Sequence, residues 1–243
     1  MNKSVVAVVA LLVAAGVAWF LLRPKPEAPP PPRPQAQPAP QAPRPADVPL
    51  PPAADSDAQV HKALASVTRW PVLEKWLAEG DLLNRWAVVA DNLAEDVSPR
   101  KQLAAAAPDK RFEAVEKKGA PQIDPKNYQR YDLFTEVVAS VDTKAFAEAV
   151  RELHPLLETA YHRLGYPDRK LDDVARKALQ RLIDAPVVEG PLALVPKGAL
   201  YKFADPKLEA LGPVEKHLLR MGPRNTRLIQ SKAREIAAEL RLR

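Results

Sequence analysis

Cysteine is absent from the 243 residues, which excludes disulfide frameworks, thiolate nucleophiles and cysteine metal sites together. It does not fix a compartment, since a reduced cytoplasm and a disulfide-free periplasmic protein both permit it. Glycine is scarce at eight residues, scattered singly, so no glycine-rich phosphate loop can be built. There is no GxSxG elbow, and no evident base pairs with Ser66, Ser98, Ser140 or Ser231. Four histidines, His61, His154, His162 and His217, include an i, i+4 pairing of Glu158 with His162 on a helix face. Two ligands do not make a zinc site, so that pair reads as a surface interaction. No catalytic residue, metal site or cofactor follows from these patterns.

Proline and one apolar run are what the chain has in excess. Val5–Leu22 is eighteen residues without a charge, enough to cross about 30 Å of hydrocarbon at roughly 1.5 Å per residue. Trp19 suits the interfacial belt, and Trp19-Phe20-Leu21-Leu22 before Arg23-Pro24 offers no small-x-small cleavage site. The run is therefore expected to be an uncleaved transmembrane anchor, with residues 1–4 on the cytoplasmic side. Charges alone argue the other way: Lys3 precedes the span, while Arg23, Lys25, Arg33 and Arg44 follow it. The layout of basic head, span, rod and terminal domain argues for a bacterial inner-membrane protein whose carboxyl-terminal domain lies in the periplasm.

Residues 24–52 contain fourteen prolines and no aromatic residue, so they cannot bury a core. The linker, 23–52, reads as polyproline II or disordered chain, able at about 3.1 Å per residue to hold a domain up to roughly 90 Å from a bilayer. The alternative, a recognition motif, has no specific PxxP pattern behind it. Residues 53–243 have ordinary globular composition and length for a single domain. Five of the 36 basic and two of the 30 acidic residues precede Ala53, leaving 31 − 28, or +3, on this part. That is a weak signal for a polyanion.

Helix signals dominate the domain. Ser56 is placed to cap a first helix, Pro71 to open a second containing Trp76 and Leu77, and Asp81 to cap a third after Gly80. Between Val97 and Ile123 the periodicity dissolves, leaving a short hairpin around "RFEAVEKKGAPQI" with its turn near Lys118-Gly119. Asp124-Pro125 opens a helix with Tyr131, Phe134, Val138 and Val141 in a stripe. Asp142 caps a long segment running to Gly165, either kinked at Pro155 or split there. The acidic pair Asp172-Asp173 suits a helix start, and "PLALVPKGALYKF" reads as a hairpin turning at Lys197-Gly198. Helices opened by Pro206, Pro213 and Pro223 complete the chain, with Gly222 expected as a left-handed cap. The expected class is mainly α with one or two short β-hairpins.

Several segments occurring together, "LPPAADSDAQV", "VVADNL", "NYQRYD", "LHPLLETAYHRLGYPD", "LYKFADPKLEAL" and "KHLLRMGPRN", resemble a bacterial membrane-anchored family known as domain of unknown function 3014. They run in order from about residue 50 to the end. None falls between Pro99 and Gln122. The resemblance implies an α-rich envelope domain behind a signal anchor and proline linker, and it carries over no catalytic or ligand residue.

Two clusters are candidates for binding. In "NYQRYD", Tyr128, Arg130, Tyr131 and Asp132 place phenol, guanidinium and carboxylate within about one and a half helical turns; they could hold a sugar or polar peptide, or serve as core and solvated charge. Toward the carboxyl end, Lys197, Lys202, Arg220, Arg224 and Arg227, with Tyr201 and Asn225, could converge on an anion at a helix start. The competing reading has Arg220 complementing its own helix and the other arginines facing water. The function expected is a helical interaction module in the cell envelope, with protein or cell-wall polymer as partner. The alternatives are a periplasmic enzyme on cell-wall glycan or peptide and, requiring a cytoplasmic domain, a nucleic-acid binder through the corner at Gly222.

Overall fold

The computed structural model describes residues 48–67, 74, 76–104, 107–108, 112–117, 119–198 and 200–242. The expected span at Val5–Leu22, the linker up to Asp47, the helix opening at Pro71 and Lys118 in the first turn lie outside them. Among the described residues no helix is long and apolar enough to cross a membrane. They are mainly helical, with two short hairpins.

Helix α1 (Ala53–Leu64) buries Ser56, Val60 and Leu64, one face at i, i+4, i+8. Ser56 is not its cap: Pro52 takes that position, and the Ser56 hydroxyl donates back to the Ala53 carbonyl at 2.9 Å. Helix α2 (Leu82–Ala94) follows Asp81, which sits in a left-handed conformation and makes no capping bond. The cap comes from another helix. Asp57 of α1 accepts from the backbone amides of Asp81 at 2.9 Å and Leu82 at 2.8 Å, satisfying donors that a helix start otherwise leaves open.

A 3-10 turn (Pro99–Lys101) leads to the first hairpin, β1 (Ala114–Lys117) and β2 (Ala120–Ile123). The helical stripe expected after Pro125 is split into α3 (Lys126–Gln129) and α4 (Asp132–Ala139). Helix α5 (Thr143–Arg163) starts on the Asp142 side chain, which accepts from the Ala145 amide at 2.9 Å, and runs unbroken through Pro155. Pro155 lies on the exposed side, where water can satisfy the carbonyl its missing N–H leaves open. Helix α6 (Leu171–Asp184) carries Asp172 and Asp173 in its first turn.

These helices share one core. Leu82 and Leu83 of α2, Leu153, Leu157 and Tyr161 of α5, and Leu171 and Val174 of α6 join Val60 and Leu64 of α1. Tyr161 is fully buried, and its hydroxyl donates to Asp91 at 3.2 Å, giving a buried phenol the partner it requires.

The second hairpin is β3 (Leu194–Lys197) with β4 (Leu200–Phe203), paired Leu194 to Phe203 and Lys197 to Leu200. It meets the first at a bridge between Gln122 and Ala193, where the Ile123 amide donates to the Leu192 carbonyl at 3.0 Å. Three helices finish the chain: α7 (Pro206–Glu209), α8 (Pro213–Met221) and α9 (Pro223–Glu239), each with proline in its first turn. Ile123, Leu192, Leu194 and Phe203 close over Leu219 of α8. On the other side of α8, Leu218 and Met221 meet Tyr131, Ala185 and Ile229 of α9. Gln230 of α9 anchors the C-terminal end of α6, reaching the carbonyls of Ile183 at 3.0 Å and Ala185 at 2.7 Å.

Candidate functional site

The stretch "LLRMGPRN" turns from α8 into α9 at Gly222, whose φ is +84 and ψ 164. This is positive φ but not the left-handed helical basin, and it is a region open essentially to glycine alone. Space is as restrictive as conformation: a Cβ at Gly222 would lie 2.4 Å from Cγ of Tyr128. The corner therefore rests on the Tyr128 ring.

Asn225, in the first turn of α9 and 1% exposed, locks that contact. Its amide nitrogen donates to the Tyr128 carbonyl at 2.9 Å, the Asp132 carboxylate at 2.9 Å and the Met221 carbonyl at 3.1 Å. Thr226 beside it donates to the carbonyls of Leu218 at 2.8 Å and Gly222 at 2.9 Å. The two segments singled out in the sequence thus meet at one joint.

Their charges are largely partnered. Arg224 lies 3.4 Å from Asp132 and 3.6 Å from Glu136, and Arg227 pairs with Glu189. Arg220 covers the Phe203 ring at 4.9 Å and donates to the Lys216 carbonyl at 3.2 Å; burial pulls its guanidinium below the ordinary value, though an arginine stays charged. Arg130 donates to Asn127 at 3.3 Å and lies over Tyr131 at 5.6 Å. Tyr131 is core, 9% exposed. Lys197, Tyr201 and Lys202 are exposed on the second hairpin, where Tyr201 meets Phe112 with ring centroids 6.1 Å apart. The structure joins Asn225 and Arg224 to the "NYQRYD" segment and leaves the two lysines apart from that joint.

Residues not singled out by sequence complete the region. His217 packs edge-on to Tyr131 at 5.5 Å. Burial, reinforced by Arg100, Arg220 and Arg130, lowers its pKa to about 4, so it is neutral near pH 7. Nothing in the sequence pattern pointed there, because Arg100 and Arg130 arrive from other elements. Asn127, 3% exposed, ties β1 to α3 through the Glu113 amide at 2.9 Å and the Asp124 carbonyl at 2.9 Å.

Beside the joint opens a cleft of about 680 Å³ lined by Lys117, Gln122, Pro125, Tyr128, Pro191 and Pro223. Burial raises the Tyr128 pKa, leaving its hydroxyl a hydrogen-bonding group rather than a base. Among the described residues no carboxylate lines the cleft. Elsewhere, His154 is held by Asp172 at 2.9 Å, and His162 lies 3.7 Å from Glu158. Among the described residues no three His, Asp or Glu side chains are grouped to hold a metal ion.

A family model described as Protein of unknown function (DUF3014) matches residues 82–237. The chain belongs to this family. The DUF3014 match begins at the first residue of α2 and ends within α9, taking in both hairpins and the corner on Tyr128. Helix α1, which supplies Asp57 to cap α2, precedes the matched span. No curated protein and no solved structure matches the chain.

Proposed function

We propose that this DUF3014 protein is a single-pass bacterial inner-membrane protein that presents its helical domain in the periplasm as a binding module. An envelope protein or a cell-wall polymer would lie in the cleft beside Tyr128. The observation that carries the binding part of this reading is the cleft lining: prolines, a glutamine, a protonated tyrosine and one lysine, with no carboxylate among the described residues. Such a surface favours an extended chain held by flat apolar contacts and a few hydrogen bonds. Hydrolysis of a glycan or peptide would need an acid-base pair, and the nearby Asp132 is engaged by Asn225 and Arg224.

The absence of cysteine makes the test direct. A single cysteine at exposed Lys144, remote in sequence from the cleft, is probed in cells with a permeabilised outer membrane by an impermeant maleimide, with a cytoplasmic control and a lysed sample. Labelling before lysis is the expected result. Labelling only after lysis removes the periplasmic reading and returns nucleic acid as a partner. A photo-crosslinking residue at Gln122 is expected to capture an envelope component; loss of capture on Tyr128→Ala ties it to the cleft, and unchanged capture places the partner elsewhere.

A further inference from the structure

The second hairpin carries apolar side chains that the described fold leaves exposed, Leu200 most of all. Only its base is buried, through Leu194 and Phe203. Beyond them Leu200 is 73% exposed, Val195 39% and Tyr201 38%. Strand alternation separates these residues onto two faces. Pro196 and Tyr201 share the face of Leu194 and Phe203, and Tyr201 leans on Phe112. The opposite face carries Val195, Lys197, Leu200 and Lys202.

Register sets the pattern on that outer face. Val195 stands opposite Lys202, and Lys197 opposite Leu200, so aliphatics occupy one diagonal and lysines the other. Neither lysine has an ion pair within 4 Å among the described residues. Glu209, whose carboxylate feels the charge of Lys197, accepts from the Phe203 amide at 3.0 Å and lies 3.7 Å from Lys216. The outer face therefore interleaves two lysines that form no ion pair among the described residues with a largely exposed Leu200 and a partly exposed Val195.

We propose that this hairpin docks on an anionic bilayer surface, with Val195 and Leu200 at the boundary between headgroups and acyl chains and Lys197 and Lys202 against lipid phosphates. An anionic polymer in water would satisfy the lysines and leave Val195 and Leu200 exposed. A bilayer interface offers charge above and hydrocarbon below, and lysine stems of this kind lie along apolar surface while their ammonium groups stay wet. The inference rests on the anchor reading, under which a span at Val5–Leu22 followed by the proline-rich linker would keep a bilayer within reach and raise its effective concentration. Each lysine near such a surface strengthens docking about fivefold.

The test uses the full chain reconstituted in vesicles of phosphatidylcholine alone or mixed with phosphatidylglycerol. A nitrobenzoxadiazole dye sits on Val195→Cys or, as a control, on Lys144→Cys. In the anionic vesicles, the dye at 195 is expected to shift its emission to the blue and to be quenched by nitroxide-labelled acyl chains, while the dye at 144 reports water. Lys197→Glu with Lys202→Glu is expected to lower the docking equilibrium by at least about 25-fold. Leu200→Ser lowers it too, with an unchanged far-ultraviolet spectrum because Leu200 packs on little. Water-like emission at 195 in both vesicle types overturns the proposal. So does shielding without vesicles that grows with protein concentration, which means a second copy, or shielding only on adding soluble envelope proteins. Carbonate extraction tests the anchor separately: a chain that washes off loses that reading, while the dye still reports the hairpin on added vesicles.

Discussion

Asn225 donates to the backbone carbonyl of Tyr128 at 2.9 Å, joining positions 97 residues apart. The same amide reaches the Asp132 carboxylate, so the start of α9 is fixed to the α3–α4 break rather than left open for a ligand. This explains why the start of α9 lies against the Tyr128 ring, and why the cleft wall is made of Tyr128 and Pro223 together.

Gly222→Ala is expected to destabilise the domain by about 2–4 kcal/mol, combining a glycine-only backbone with overlap against Tyr128. Gly119→Ala, also at positive φ but with open space around it, is expected to cost only about 1 kcal/mol. Urea unfolding of the two variants compares them; equal losses would show that the ring contact is not what demands glycine.

Removing the Asn225 amide leaves buried acceptors without a donor, and Asn225→Ala is expected to cost about 2–3 kcal/mol. Arg224 makes its ion pairs at the surface, and Arg224→Ala is expected to cost less than about 1 kcal/mol. Chemical denaturation of both variants orders them, and the reverse order would shift the joint's stability from the buried amide to the ion pairs.

His217 gives the domain an acid-sensitive term. Its folded pKa of about 4 lies below the ordinary 6.5, so the unfolded chain takes the proton first. The contribution is complete above pH 6.5 and is lost as pH falls toward 4. Between pH 7 and 5 the loss amounts to about 2 kcal/mol. His217→Gln should flatten the stability profile across that window. Glu95, Glu209 and Glu235, whose pKa values are lowered by hydrogen bonds and nearby cations, act further down, so their contribution persists at pH 5 and falls away below the ordinary carboxylate range. A wild-type profile already flat between 7 and 5 would mean the imidazole is solvated.

Asp57→Ala is expected to cost about 1–2 kcal/mol by opening the start of α2, although Asp57 belongs to α1. Asp81→Ala removes no capping bond and should cost less, apart from the strain of its left-handed backbone. Thermal unfolding of the pair decides which aspartate closes that helix.

Local chemistry in the sequence determined much of the fold. Prolines at 206, 213 and 223 each open a helix, Asp142 caps α5 from the adjoining position, and both hairpins form where Gly119 and Gly198 permit a turn. These signals are legible because the interacting groups lie within about four residues, where chain geometry alone sets the distance. Tertiary structure decided the rest: Asp57 rather than Asp81 as the cap of α2, Pro52 rather than Ser56 at the start of α1, α5 continuing through Pro155, and Arg224 turned toward Asp132 and Glu136. It also decided that Asn225 and "NYQRYD" are halves of one joint and that His217 lies among arginines from separate elements. No periodicity encodes those pairings, because the free energy of a side chain with several possible partners depends on which surfaces the packed helices bring within hydrogen-bond reach.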